Sequence, residues 1–323
     1  MALLNSLGAT AQEIHRRRLF GKFNTLIYAQ GVSGQQQKQA EDIKKLNLGD
    51  LSFDTKLTAL AQQNGQWKDH VILAHDNSVL YVFIPQFLQN RELDVIIENS
   101  AFGFGDLVGS IEDEYDTQSF LVGVNGSLTV KKDYSSLMPS YIVSGHVYQN
   151  GSQVLTSKTK PTRSSLGSEL SSFQFYDDQG QSYLDFLYGQ DPSKGDGLGG
   201  LSPVVFNGEK VVGTGETDGI VNSTFNGFNG ARKTIGRHIL AYRKDQQAGS
   251  MFDDSAFIFI IKDNVQPGMS VTGIRNFAVG RGFDFAVALD GSNSVLLYDQ
   301  HKRRIVDNGF EKNLFCKTAY CIR

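Results

Sequence analysis

The chain has 323 residues, enough for two ordinary domains or for one large domain with an extension. Its 31 basic and 34 acidic residues nearly balance, which argues against a surface dedicated to nucleic acid. No stretch approaches the ~20 apolar residues of a membrane-spanning helix, and 34 glycines against 6 prolines suit many strands joined by tight turns.

Residues 1–30 carry apolar positions at helical spacing. Leu3, Leu7 and Ile14 mark one stripe, and Phe20, Phe23 and Ile27 continue it beyond His15-Arg16-Arg17-Arg18. The pattern predicts helix that either packs on the main body or docks the chain onto a partner protein. The basic group follows the first apolar residues and no uninterrupted apolar segment comes after it, so no secretory signal is read. The expected route is cytoplasmic synthesis, then release or incorporation into a virion, such as a phage tail, or into a secretion assembly. Residues 31–39 read as a linker, and 40–46 and 54–63 as polar helices. The organisation expected is a helical and linker extension over 1–65, a main domain over 66–310 and a tail over 311–323.

From Trp67 the pattern changes to strands. Residues 71–74 and 79–84 flank an Asp-Asn-Ser turn and predict a hairpin. Strands are expected at 95–97, 120–124, 141–148, 171–176, 203–206, 234–242 and 257–262. One helix interrupts them, capped by Ser270, with Ile274, Phe277 and Ala278 on its buried face and Gly280 or Gly282 at its end. Phe283, Phe285, Val287 and Leu289 alternate as in a half-buried strand that delivers Asp290 to its end, and residues 295–298 begin the next strand. Scattered strands with few helices predict an α+β domain on a mixed β-sheet.

Several familiar patterns fail on context. Gly195-Asp196-Gly197-Leu198-Gly199-Gly200 has the letters of a dinucleotide fingerprint, but a strand and an Asn-Gly turn follow where a helix must open. Asp290-x-Ser292-x-Ser294 begins like a calcium loop, yet Val295 and His301 stand where glycine and glutamate are required. Cys316 and Cys321 either close a small loop or remain thiols, and two cysteines alone make a poor metal site. The histidines are dispersed. Lys302-Arg303-Arg304 and the arginines at 16–18 lack the interleaved aromatics of a strand-stacking surface.

Four segments remain, in fixed order. They are Val122-Gly123-Val124-Asn125-Gly126-Ser127, then Gly197 to Gly208 with Gly199-Gly200 and Pro203, then Ala231-Arg232-Lys233-Thr234-Ile235-Gly236-Arg237, and last Leu289-Asp290-Gly291-Ser292-Asn293-Ser294 after Gly268-Met269-Ser270. In order and spacing, over about residues 95–309, the chain resembles the phosphodiester glycosidase family. It departs from the family pattern at Ser127-Leu128, where aromatic residues are usual, at the inserted Lys233, and at Ser292 in place of a second glycine.

The resemblance implies hydrolysis of a sugar-1-phosphodiester in a glycan or sugar-phosphate polymer. Such a bond already has a good leaving group. It needs a cation on the phosphate, a carboxylate beside the developing oxocarbenium ion and polar groups on the sugar. Arg232 suits the first role, its fork gripping two phosphate oxygens, and Asp290 the second. Asn125, Ser292, Ser294 and Thr234 are candidates for sugar or phosphate contacts, against a plain reading as turn caps. Gly199 and Gly200 either bring backbone amides to the ligand or form a bulge. His238 is a candidate acid or base, against a reading as a buried structural imidazole. No cofactor is required, and a divalent cation near Asp290 is compatible with the pattern. The competing class is a non-catalytic glycan-binding or structural module docked through residues 1–30.

Overall fold

The computed structural model describes residues 25–29, 72–76, 79–97, 122–127, 129–131, 141–143, 145–155, 170–211, 236–244, 254–261, 269–291, 295, 297–299, 304–306 and 318–323. Strands β1 (Thr25–Ala29), β2 (Ile72–Asp76) and β3 (Val79–Ile84) lead into a one-turn helix, α1 (Phe87–Asn90). Next come β4 (Leu93–Ile97), β5 (Val122–Asn125), β6 (Thr129–Lys131), β7 (Tyr141–Val143), β8 (Val147–Gln149) and β9 (Ser152–Leu155). The long hairpin β10 (Ser171–Asp178) and β11 (Gln181–Tyr188) precedes β12 (Asp196–Phe206) and β13 (Glu209–Lys210). Then follow β14 (Arg237–Arg243), β15 (Ser255–Ile261), helix α2 (Val271–Gly280) and β16 (Phe285–Ala288). The last three strands are β17 (Leu297–Asp299), β18 (Arg304–Val306) and β19 (Thr318–Ile322).

A 12-stranded sheet runs β1-β2-β3-β15-β14-β16-β12-β10-β11, with β8, β9 and β13 beside β12, and a 5-stranded sheet runs β18-β17-β5-β19-β4. This corrects the expected α+β class with its mixed sheet. Every strand pair among the described residues is antiparallel. The physical reason lies in the connections. Parallel neighbours need a long crossover, whereas short turns such as Asn207-Gly208, with φ of 51° and 77°, return the chain antiparallel. The expected helical N-terminal extension is corrected at Ile27, which lies in β1, paired with Ala74 of β2. A short run containing Leu26, Ile27 and Tyr28 completes an open sheet edge, and that pairing outweighs the helical spacing. The remainder of residues 1–65 lies outside the described residues.

The central strands of the large sheet are buried on both faces. All seven residues of β15 are buried, as befits a run without apolar-polar alternation. On one face Leu240, Ile258, Ile260 and Val287 pack with Val95, Val122, Val124 and Tyr320 of the smaller sheet. On the other, Ile239, Ala241, Phe257 and Phe259 pack with Ile274 and Ala278 of α2 and with Phe283. Helix α2 begins where the sequence predicts, the Ser270 hydroxyl accepting from Gly273 N at 3.0 Å. The smaller sheet is therefore layered on one side of the large sheet and α2 on the other.

One polar and one steric feature fix the seam near β12. The rejected fingerprint is strand, and its Asp196 is a buried carboxylate that accepts from Val95 N and Asn150 N, both at 2.7 Å. Burial raises the Asp196 pKa, and the two backbone donors pull it the other way. Gly145 breaks the expected strand 141–148 into β7 and β8. Its φ is +136°, and a Cβ there would stand 2.3 Å from Gly200 N and 2.4 Å from Gly199 C. Backbone on backbone leaves nothing to move aside.

The comparison of Gly145→Ala with Gly180→Ala tests this close approach. Gly180, with φ of +79° and open space around it, should lose only about 1–2 kcal/mol from left-handed strain. Gly145→Ala should lose more than about 3 kcal/mol in urea unfolding, because steric overlap adds to strain.

Candidate functional site

The strand β16 pairs with β14 on one side and β12 on the other, up to Ala288. Beyond it the chain changes partner. Leu289 N still donates to His238 O at 3.0 Å, but Asp290 N donates to Gly126 O at 3.1 Å, just past the end of β5. The Asn125 side chain completes the exchange, its Nδ2 donating to Asp290 O at 2.8 Å across 165 positions of sequence. Asn125 is fully buried and Asp290 is 9% exposed. The carboxylate sits at the junction of the two sheets, its Oδ1 accepting from Gly291 N at 2.9 Å.

The other segments close around this junction. Gly126 N donates to Thr318 O at 2.7 Å, and Ser127 N donates to Thr318 Oγ1 at 2.9 Å. The Ser127 hydroxyl then donates to Gly199 O at 3.0 Å. A Cβ on Gly291 would stand 2.6 Å from Gly236 O, so the end of the third segment lies against the start of the Asp290 loop. Each of the four segments thus contributes at least one residue to one connected patch. Arg232, Thr234, Ser292 and Ser294 lie outside the described residues, as does Cys316.

Asn125 serves here to hold the Asp290 backbone. Gly199 and Gly200 form a bulge: between β10 and β12 the register slips at Ser171/Phe173, and Gly200 has a φ of 71°. The Gly199 amide donates to His146 O at 2.9 Å. His238 is 0% exposed and shares a 2.9 Å hydrogen bond with the Tyr320 hydroxyl through Nε2, the rings stacked 5.7 Å apart. Burial pushes the imidazole down to about 3, against a smaller upward pull from the Asn125 backbone. Burial likewise raises the Tyr320 phenol well above its ordinary range. With these shifts both side chains are neutral at physiological pH.

Sequence reasoning missed Thr318 and Tyr320, which lie in a segment read only as tail, although Tyr320 is the polar contact beneath the junction. It also passed over the chemistry of Arg237. That half-buried guanidinium donates from Nε to Met269 O at 2.9 Å, and burial lowers its pKa to about 10, still charged at neutral pH. Among the described residues no cluster of three or more His, Cys, Asp or Glu is placed to hold a metal ion. Among them, too, no helix is long and apolar enough to cross a membrane.

No protein-family model matches the sequence, and no curated protein matches it. Among solved structures the chain shares the fold of a protein from Burkholderia pseudomallei K96243, with a TM-score of 0.50 and 11% identity, covering 97% of this chain and 88% of that one. It is also similar to the zebrafish N-acetylglucosamine-1-phosphodiester alpha-N-acetylglucosaminidase catalytic domain, auto-inhibited by its pro-peptide. There the TM-score is 0.49 and the identity 16%, over 79% of this chain and 78% of that one. A hypothetical protein from Synechocystis gives a TM-score of 0.46 and 12% identity, over 78% of this chain and 61% of that one.

Two measurements probe the junction. Asn125→Ala removes the donor to Asp290 O and should cost about 1–3 kcal/mol in urea unfolding, with faster hydrogen exchange at the Asp290 amide. The second uses pH. His238 stays neutral in the folded chain down to about 3, whereas its unfolded value is 6.5. The unfolded state therefore binds the extra proton as pH falls below 6.5, and stability present above that value is lost. Between pH 7 and 5 the wild type should lose roughly 1 kcal/mol per unit below 6.5 more than His238→Gln does.

Proposed function

We propose that the chain is a hydrolase of sugar-1-phosphodiesters, with Asp290 acting at the anomeric carbon. What supports the reading is the meeting of four separate sequence segments around Asp290, above all the Asn125 to Asp290 hydrogen bond of 2.8 Å. A carboxylate whose main chain is held by hydrogen bonds at a strand end, nearly buried and backed by a rigid double layer, is preorganised for such work. In this mechanism the C1–O bond breaks, the phosphomonoester departs, Asp290 stabilises or captures the oxocarbenium-like centre, and a water then adds at C1 to release the free sugar. Arg232 neutralises the phosphodiester, and Thr234, Ser292 and Ser294 hydrogen-bond the sugar or phosphate. Asn125 holds the Asp290 main chain.

One observation favours the second reading, a glycan-binding module without turnover. The Asn125 Nδ2 and the Gly199 amide are both engaged within the protein, which leaves fewer donors for a reacting ligand. An assay with an aryl or alkyl phosphodiester of a hexose 1-phosphate separates the two. The hydrolase reading expects turnover by the wild type and at least a ~100-fold fall in kcat/KM for Asp290→Asn with the fold retained. Equal turnover in the folded variant removes Asp290 from the chemistry. Glycan binding by the wild type with no hydrolysis favours the module.

A further inference from the structure

Asp290 has a cross-strand neighbour that the four-segment reading did not use. In the β14–β16 ladder Ile239 pairs with Ala288 and Leu240 with Val287. The Leu289 N to His238 O bond carries the register one step further. Another step sets Arg237 opposite Asp290, and Gly291 beside Gly236 and Arg237 agrees: a Cβ on Gly291 would lie 2.6 Å from Gly236 O and 3.6 Å from Arg237 Cα. Leu289 and His238 form a hydrogen-bonded position of the ladder. Arg237 and Asp290 therefore fall at a non-hydrogen-bonded position, where facing Cα atoms come within about 4.5 Å and side chains lie closest.

Alternation fixes the face. Ala286 and Ala288 belong to the cluster under α2, while Val287 and Leu289 belong to the cluster facing the smaller sheet. Asp290 lies just past the strand end at Ala288, where the chain bends and its amide turns to Gly126 O. Arg237, two residues before Ile239 and hydrogen-bonded to Met269 O just ahead of α2, lies on the α2 side. Arg237 and Asp290 thus stand opposite one another in register at the ends of two central strands.

We propose that Arg237 is a phosphate-binding residue of the Asp290 site, taking an oxygen of an anionic sugar phosphate while Nε keeps its bond to Met269. This rests on the sugar-phosphodiester reading and adds a second cation to it. Arg237 stands beside Asp290 in the ladder register. With ligand bound, it lies between the carboxylate and the phosphate and offsets their repulsion. Because Met269 O fixes Nε, the fork is held in one orientation and little side-chain entropy is lost on binding.

Calorimetric titration with a hexose 1-phosphate, and with inorganic phosphate, tests this on the full chain. The wild type should bind hexose 1-phosphate, and Arg237→Gln should weaken binding at least about tenfold. Arg237→Lys keeps the charge but loses the fork, so its affinity should lie between the two, and this variant decides the matter if Arg237→Gln does not fold. Asp290→Asn should bind phosphate as tightly as the wild type or tighter. Unchanged affinity in folded Arg237→Gln or Arg237→Lys overturns the proposal, as does absence of binding by the wild type. An Arg237 that merely pairs with Asp290 would lower stability in both Arg237→Gln and Asp290→Asn and leave affinity alone. Because binding is read without turnover, failure here is distinct from failure of the Asp290 hydrolysis assay.

Discussion

The structure depends on a change of partner at Asp290. Up to Ala288 the strand β16 lies between β14 and β12; one residue pair later its backbone is held by Gly126 and Asn125 of the smaller sheet. A backbone amide and carbonyl buried at that point must be satisfied, and the Asn125 side chain and the Gly126 carbonyl do so. Beneath them His238 and Tyr320 join the same two sheets through a second buried hydrogen bond. Two neutral side chains suit this position, since a charge there would carry the full cost of desolvation. The sheets are therefore in fixed register where the carboxylate emerges.

That register matters chemically because each side of the junction supplies something different. The large sheet delivers Asp290 and Arg237 from neighbouring strands. The smaller sheet delivers Asn125, Gly126 and Thr318, which orient the main chain around Asp290. Apolar burial on both faces of β14, β15 and β16 makes the platform stiff, and a stiff platform holds polar groups in a single arrangement.

Much of the strand pattern was legible where periodicity was strong. The hairpin of β2 and β3, the run of β15 and the Ser270-capped helix α2 all follow from alternation, apolar length or capping chemistry. Local pattern failed where tertiary pairing decides. Ile27 fits a helical stripe but completes a sheet edge, and Gly145 lies within a strand-like run but sits against Gly199 and Gly200. The glycine-rich start of β12 carries no apolar period at all. Asn125 and Asp290 stood out as members of ordered motifs, yet their bond spans 165 positions and no local rule foretells it. Arg237 was visible in the third segment, but its place opposite Asp290 emerges only from the ladder register. Tyr320 lay hidden because a five-residue strand near the chain end reads as a tail until its neighbours β4 and β5 are known.

The most direct test of the account is an experimental structure of the chain with a hexose 1-phosphate bound. The account requires the anomeric carbon beside the Asp290 carboxylate, with phosphate oxygens about 3 Å from guanidinium nitrogens of Arg232 and Arg237. A ligand seated elsewhere, or Arg232 and Asp290 turned to opposite faces of the sheet, would contradict it.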